Sequence, residues 1–168
     1  MEQTFIQLVP THLAEFCVLM VLSLLFGMLL GLERVAAHKT AGMRTYALVS
    51  MSATFFVLIA RSVMEVLQIS GSTAVLQFSA ALITGIGFLG AGLIFHKDGN
   101  HIQNVTTAAG LWMCAAIGMA TGFGLIWYGA IATLFTFIIL KIISKVEMNI
   151  KLRFFPDNGF TNSVEEEK

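Results

Sequence analysis

Four charged residues lie close together in the sequence between two long apolar stretches. Glu33 and Arg34 follow the first stretch, Lys39 comes next, and Arg44 opens the second stretch. Glu33 would lie at a helix C-terminus and Arg44 at a helix N-terminus, where each charge is unfavourable for its own helix dipole. In an antiparallel hairpin these two ends are neighbours, so a Glu33–Arg44 ion pair would relieve both. Arg34 and Lys39 are alternative partners for Glu33. A simpler interpretation of these charges is a solvated, positively charged loop.

Catalysis and a defined metal site find little support in the sequence. His38, His96 and His101 fall in connecting segments, and no nucleophile, base and orienting group can be assembled around them. A magnesium carrier uses one or two carboxylates that hold a partly hydrated ion, yet the second to fifth apolar stretches contain neither Asp nor Glu. We therefore expect neither an enzyme nor a cofactor, and the sequence identifies no metal ligands.

A glycine-rich segment, Gly85-Ile-Gly-Phe-Leu-Gly90, has the spacing of a dinucleotide-binding fingerprint. That fingerprint requires a preceding strand and an acidic residue about 20 residues further on, whereas both places are apolar here. Gly85, Gly87, Gly90 and Gly92 instead indicate a half-helix that either packs tightly or locally unwinds. Unwound backbone within a membrane must be buried in protein or line a wet cavity, and its carbonyls would then be available as ion ligands.

Thr106 and Thr107 lie at the predicted start of the next helix, where their hydroxyls could cap unpaired N–H groups. That helix end would face the loop holding Asp98, and also Glu33 if the bundle closes. The sequence thus predicts that two helix ends and one charged hairpin converge at one membrane face, as a docking surface or a shallow ion site.

The elements that position these residues are apolar stretches long enough to cross a bilayer. A hydrocarbon core of about 30 Å needs about 20 apolar residues per helix. Leu13–Leu32, Met43–Val63 and Thr73–Phe95 meet that length, and Val105–Leu140 suffices for two spans with a break at Gly122-Phe-Gly124. The charged fraction of the chain, 12%, is about half of the roughly 25% found in soluble domains.

We therefore predict an all-α membrane bundle of five transmembrane helices within the lipid bilayer. The membrane domain covers residues 13–143, after an extracytoplasmic segment, 1–12, and before a short cytoplasmic tail, 144–168. Lys and Arg concentrate in the connection between the first two spans, in that between the third and fourth, and after the fifth. By the positive-inside rule, the N-terminus lies outside and the C-terminus in the cytoplasm.

Small residues recur at four-residue intervals in two of the predicted helices. The fourth span carries Thr106, Gly110, Cys114, Gly118 and Gly122, and the first carries Gly27 and Gly31. Such rows let helix backbones approach closely in lipid. Packing within one chain and the seam of a homodimer are both compatible with this pattern.

Several of these segments together resemble the MgtC/SapB family of bacterial membrane proteins. The matching motifs are Gly31-Leu-Glu-Arg34, Lys39-Thr-Ala-Gly-Met-Arg-Thr45, Gly85-Ile-Gly-Phe-Leu-Gly-Ala-Gly92 and Thr106-Thr-Ala-Ala-Gly-Leu-Trp112, followed by Ala115-Ala-Ile-Gly118. The resemblance covers about residues 13–143. The chain departs from the family pattern at Asn104-Val105, where family members usually have Gly-Leu.

The resemblance implies a bacterial inner-membrane protein. Some members of the family are linked to growth in low magnesium and to virulence, that is, to survival inside host cells. It also implies a short form that lacks the C-terminal ACT-like domain of longer members. A regulatory protein that binds another inner-membrane protein, and not nucleic acid, is the favoured function, and transport of magnesium or another small solute is the alternative. The candidate functional residues are Glu33, Arg34, Lys39, Arg44, Thr45, Gly85, Gly87, Gly90, Gly92, Asp98, Thr106, Thr107 and Trp112.

Overall fold

The computed structural model describes residues 13–68, 72–97 and 101–143, together with residues 146 and 150. The helices are α1 (Leu13–Ala36), α2 (Met43–Val66), α3 (Ser72–Leu93), α4 (Val105–Gly122) and α5 (Ile126–Ile138), and α5 continues into one π-helical turn, Ile139–Ile143. The described residues contain five helical segments long and apolar enough to cross a membrane. The prediction of a five-span all-α membrane bundle is therefore confirmed.

Two of the predicted span boundaries can be compared with the helix ends in the structure. The predicted break in the long apolar stretch lies where α4 ends at Gly122, and Gly124 has a φ of 80°, which glycine adopts without strain. The third predicted span is two residues too long, because α3 ends at Leu93. Phe95–Lys97 (β1) instead pairs antiparallel with His101–Gln103 (β2) in a short hairpin between α3 and α4.

The interior of the bundle is formed by α2 and α4, which pack along each other. α1 lies against α2, while α4 also contacts α1, α3 and α5. In the most hydrophobic part of α4, 56% of the residues are buried, whereas in the corresponding part of α3 only 6% are buried. α3 is therefore a peripheral helix that touches the bundle mainly through α4.

Arg61 connects two helix ends at the side of the bundle where α1 and α5 begin. Its Nη1 donates a hydrogen bond to the carbonyl oxygen of Gly122 at 3.1 Å, and it lies 4.0 Å from Oε1 of Glu15. The last carbonyls of a helix have no partner within the helix and carry partial negative charge. Arg61 thus stabilises the C-terminus of α4.

Candidate functional site

The small-residue row of α4 is used for packing within the chain. A Cβ at Gly110 would meet the hydroxyl of Tyr46, one at Gly118 would meet the carbonyl of Ser50, and one at Gly122 would meet Val57. From Gly110 to Gly122 the row is therefore covered by α2, whereas Thr106 is exposed. Of the two interpretations of this pattern, internal packing holds, and the row is not available as a homodimer seam.

The glycines of α1 serve the same purpose on the other side of α2. A Cβ at Gly27 would lie 2.5 Å from the carbonyl oxygen of Tyr46, and one at Gly31 would meet the backbone of Met43. The start of α2 is therefore held between α1 and α4 by backbone approaches that no larger residue would permit.

Hydroxyl groups add a buried polar chain at the centre of the three packed helices. The Oγ1 of Thr54 lies 2.7 Å from the carbonyl oxygen of Gly118 and 2.7 Å from the Oγ of Ser23, which lies 2.8 Å from the Oγ of Ser50. A carbonyl only accepts, and each hydroxyl has one proton. Thr54 therefore donates to Gly118, Ser23 donates to Thr54, and Ser50 donates to Ser23. Hydrogen bonds of this kind join helices in lipid.

Two further bonds join α2 to the first half of α4. The hydroxyl of Tyr46 donates to the carbonyl oxygen of Thr107 at 3.2 Å, and the thiol of Cys114 donates to the carbonyl oxygen of Tyr46 at 3.1 Å. Tyr46, Thr107 and Cys114 are all fully buried. The sequence pattern identified Cys114 and Thr107, but not the tyrosine between them.

The ion pair at the end of α1 differs from the one preferred from the sequence. Arg34 donates from Nε to Oε2 of Glu33 at 2.6 Å, and its side chain is only 3% exposed. Arg44 is exposed, so the preferred Glu33–Arg44 pair is wrong and the alternative partner, Arg34, is the one used. Arg34 lies in the last turn of α1, where a cation is favoured by the helix dipole.

The rest of the predicted charged cluster lies on the surface. Lys39, Arg44 and Thr45 are exposed in the connection between α1 and α2 and in the first turn of α2. They follow the Glu33–Arg34 pair in the sequence without contributing to it. We call this side of the bundle, with Arg34, Lys39, Arg44 and Lys141, the basic end.

Asn104 joins three segments at the basic end. It precedes α4 with a φ of 65°, its Oδ1 accepts a hydrogen bond from Thr40 at 3.3 Å, and its Nδ2 donates to the carbonyl oxygen of Leu93 at 3.3 Å. Asparagine is one of the few residues other than glycine that adopts this left-handed conformation readily. At this departure from the family pattern, Asn104 therefore adopts a conformation that is also open to glycine, and its side chain makes two hydrogen bonds that glycine could not make.

The predicted threonine cap of α4 is wrong. The residue at the cap position is Asn104, which makes no side-chain cap hydrogen bond. Thr106 is exposed within the first turn, and Thr107 is buried and accepts from Tyr46 through its carbonyl. The helix starts one residue before the pair, so neither threonine occupies the capping position.

The glycine-rich segment of α3 neither unwinds nor packs tightly. α3 is continuous through Leu93, and a Cβ at Gly85, Gly87 or Gly92 would meet nothing within 4 Å. Gly90 alone faces a neighbour, Ala108 of α4, at 3.7 Å. Three glycines of this helix therefore present bare backbone to the surroundings.

A groove runs beside this segment, between α2 and α3. It has a volume of about 560 Å³ and is lined by Leu48, Val49, Ser52, Ala53, Phe56, Phe78, Ala81, Leu82, Gly85, Ile86 and Leu89. None of the described residues that line it is charged. Gly92 lies two helical turns beyond Gly85 and so on the same side of α3. We call this feature the α2–α3 groove.

The predicted convergence of candidate residues occurs only in part. Asn104 does bring the α1–α2 connection to the ends of α3 and α4. Glu33, however, lines a different groove, with Lys141 of the π-helical turn, and Trp112 is half exposed beside α3. Asp98 lies outside the described residues, as do residues 1–12 and most of the predicted tail, 144–168.

No group of three or more His, Cys, Asp or Glu side chains among the described residues is close enough to hold a metal ion. The sequence interpretation also missed Tyr46, Asn104 and the Ser23–Ser50–Thr54 chain. The four-residue spacing of Ser50 and Thr54 within a predicted membrane span was the available signal for that chain.

Comparison with known proteins adds a family assignment. Residues 20–149 match the model of the MgtC family. A Brucella abortus (strain 2308) protein named Protein MgtC is 43% identical over 111 residues, which cover 66% of this chain and 44% of that protein. An Escherichia coli (strain K12) protein named Putative magnesium transporter YhiD is 31% identical over 158 residues, which cover 90% of this chain and 73% of that protein.

A third relative, Protein SrpB of Synechococcus elongatus, is 32% identical over 141 residues, which cover 80% of this chain and 78% of that protein. The chain spans about half the length of the Brucella relative, with 44% of that protein covered. No solved structure matches the chain.

Proposed function

This chain belongs to the MgtC family, and on that premise we propose that it is a regulatory inner-membrane protein that binds a transmembrane helix of another protein in the α2–α3 groove. This binding supports growth at low magnesium. The observation that carries the proposal is the different use of glycine in α3 compared with α1 and α4.

Glycines within α1 and α4 are explained by close contacts in the chain itself, at Gly27, Gly31, Gly110, Gly118 and Gly122. Gly85 and Gly92 have no such neighbour. Glycine in the middle of a helix costs roughly 0.5–1 kcal/mol relative to alanine. A helix of a second protein, packed against Gly85 and Gly92, would use that bare backbone in the way that α2 uses α4.

The chemistry of the groove supports an apolar occupant. Among the described residues, its lining is aliphatic and aromatic apart from Ser52 and the glycine backbone, and none of them is charged. A membrane helix offers an apolar surface of that kind, whereas a hydrated magnesium ion needs oxygen ligands. A partner helix therefore fits the groove better than a cation does.

Low-magnesium growth tests this proposal in a strain that depends on the gene. Gly85→Leu fills the groove from α3, and we expect it to abolish growth at unchanged membrane levels of the protein. Ala80→Leu is the control, because Ala80 is exposed on α3 and does not line the groove. Normal growth of the Gly85→Leu strain would reject the groove as the functional surface.

Magnesium transport is the competing function, since the Escherichia coli relative bears the name of a putative magnesium transporter. The second to fifth apolar stretches of this chain contain no Asp or Glu, which favours regulation. Purified protein in liposomes loaded with a magnesium-sensitive dye separates the two. We expect no flux above that of empty liposomes, and protein-dependent flux would establish transport instead.

The orientation in the membrane belongs to the same proposal, with the basic end in the cytoplasm. Lys and Arg of short connections are retained on that side. Single cysteines at residues 2 and 70 should react with a membrane-impermeant reagent in intact cells, and those at 98 and 160 should not. The opposite labelling pattern would invert the topology.

A further inference from the structure

A second groove lies at the basic end, between the last turns of α1 and the end of α5. It has a volume of about 520 Å³ and is lined by Leu29, Leu32, Glu33, Ala36, Ala37, Phe137 and Lys141. The lining begins at Leu29, one turn before Glu33, so its apolar wall extends into the membrane span. We call this feature the α1–α5 groove.

Among the residues that the structure describes, the charges in this groove include one cation without a carboxylate partner. The carboxylate of Glu33 is bound by Arg34, whose guanidinium is buried. Lys141 is exposed, and its ammonium is paired with no carboxylate of the residues that the structure describes. The Nζ of Lys141 lies 5.3 Å from the centre of the Phe137 ring, a distance that allows a cation–π interaction.

The backbone at Lys141 is also unusual. Ile139–Ile143 forms a π-helical turn with Lys141 at its centre. Single π-helical turns are rare and occur frequently at functional sites. The turn places the ammonium above Phe137 and beside the apolar wall of α1.

We propose that the α1–α5 groove binds one anionic phospholipid, with the headgroup phosphate at Lys141 and an acyl chain along Leu29, Leu32 and Phe137. A cation at the end of a membrane span, next to an apolar wall that continues from Glu33 towards Leu29 and into the span, complements both parts of such a lipid. A free phosphate ion would contact only the cation. This site is separate from the α2–α3 groove and does not depend on the partner proposed there.

Native mass spectrometry of the purified full chain tests the lipid site. Protein is exchanged into detergent with equal amounts of phosphatidylglycerol and phosphatidylethanolamine, and retained lipid is measured. We expect one phosphatidylglycerol per chain, and Lys141→Gln should weaken its retention by about fivefold, the effect of one lysine near an anionic headgroup. Lys141→Arg should retain the lipid.

Lys39→Gln is the matched control, because Lys39 is exposed at the same end of the bundle and does not line the groove. Equal losses in Lys39→Gln and Lys141→Gln would show general surface charge and overturn the site. Equal retention of both lipids by the wild-type chain would also overturn it, as would displacement of phosphatidylglycerol by an equal concentration of inorganic phosphate.

A fluorescence measurement keeps the proposal testable if Lys141→Gln does not fold. Phe137→Trp places a fluorophore in the groove, and the signal of the native tryptophans is subtracted with the wild-type chain. In phosphatidylcholine vesicles, a small fraction of brominated phosphatidylglycerol should quench this tryptophan more than the same fraction of brominated phosphatidylcholine. Equal quenching by the two lipids would reject the site.

Discussion

The hydroxyl of Tyr46 lies in the space that a Cβ at Gly110 would need, and it donates a hydrogen bond to the carbonyl oxygen of Thr107 on the same helix. The contact fixes the position of α2 along the axis of α4. Tyr46 fits sterically against Gly110, and its hydrogen bond joins the two helices. Tyr46 and Gly110 both lie near the basic end, so the contact between them also supports the segments around Asn104.

Gly110→Val should destabilise the bundle by about 1–3 kcal/mol, the usual effect of forcing extra carbons into a packed interior. The side chain would displace the Tyr46 hydroxyl and separate α2 from α4. Unfolding by denaturant in detergent micelles measures the change. Gly92→Val is the control, since open space surrounds Gly92, and a loss as large as that of Gly110→Val would contradict the packing described for Tyr46.

Thr54→Val should destabilise the protein by about 1 kcal/mol, in the range measured for hydrogen bonds between membrane helices. The substitution keeps the shape of the side chain but removes the donor to Gly118 and the acceptor for Ser23. Thr54→Ser retains a hydroxyl and should lose less. Equal stability of the valine variant and the wild-type chain would show that the hydroxyl chain contributes nothing to packing.

Glu33→Gln should lower stability more than Arg44→Gln. The first change leaves the buried guanidinium of Arg34 without its carboxylate, and breaking buried pairs on one side is typically costly. Arg44 is exposed, where a charge change usually has little effect. Thermal unfolding of both variants measures the difference, and a larger loss for Arg44→Gln would support the Glu33–Arg44 pair after all.

Asn104→Gly should fold with a small loss, because glycine accepts a φ of 65° but removes the bonds to Thr40 and Leu93. Asn104→Val should lose considerably more, since a β-branched residue is strained in this conformation. Protease accessibility of the α1–α2 connection reports the change. Equal behaviour of the two variants would show that the backbone conformation at residue 104 is unimportant.

The five spans could be predicted because the length and uniform hydrophobicity of each stretch are local properties. The row from Gly110 to Gly122 could also be recognised in the sequence, since four-residue spacing places small residues on one helical face. What covers that face depends on the order in which helices pack, which spacing alone does not determine. Gly85 and Gly92 therefore looked similar to Gly27 and Gly31 in the sequence, although only the latter pair is covered.

The partner of Glu33 illustrates a second limit. Dipole arguments favoured Arg44, but burial of the last turn of α1 brought the neighbouring Arg34 into the pair. The site at Lys141 was not predicted for a related reason. Neither the π-helical turn nor the approach of α5 to α1 leaves a clear signal in the sequence.

The central claim, that a partner helix occupies the α2–α3 groove, is tested most directly by photocrosslinking in cells. A photoreactive amino acid at residue 89, which lines the groove, should give one adduct with a second membrane protein, and Gly85→Leu should remove that adduct while Ala80→Leu retains it. A photoreactive residue at Val18, exposed on α1, should not give this adduct. An adduct with a second copy of this chain alone, or no adduct from residue 89, would contradict the account.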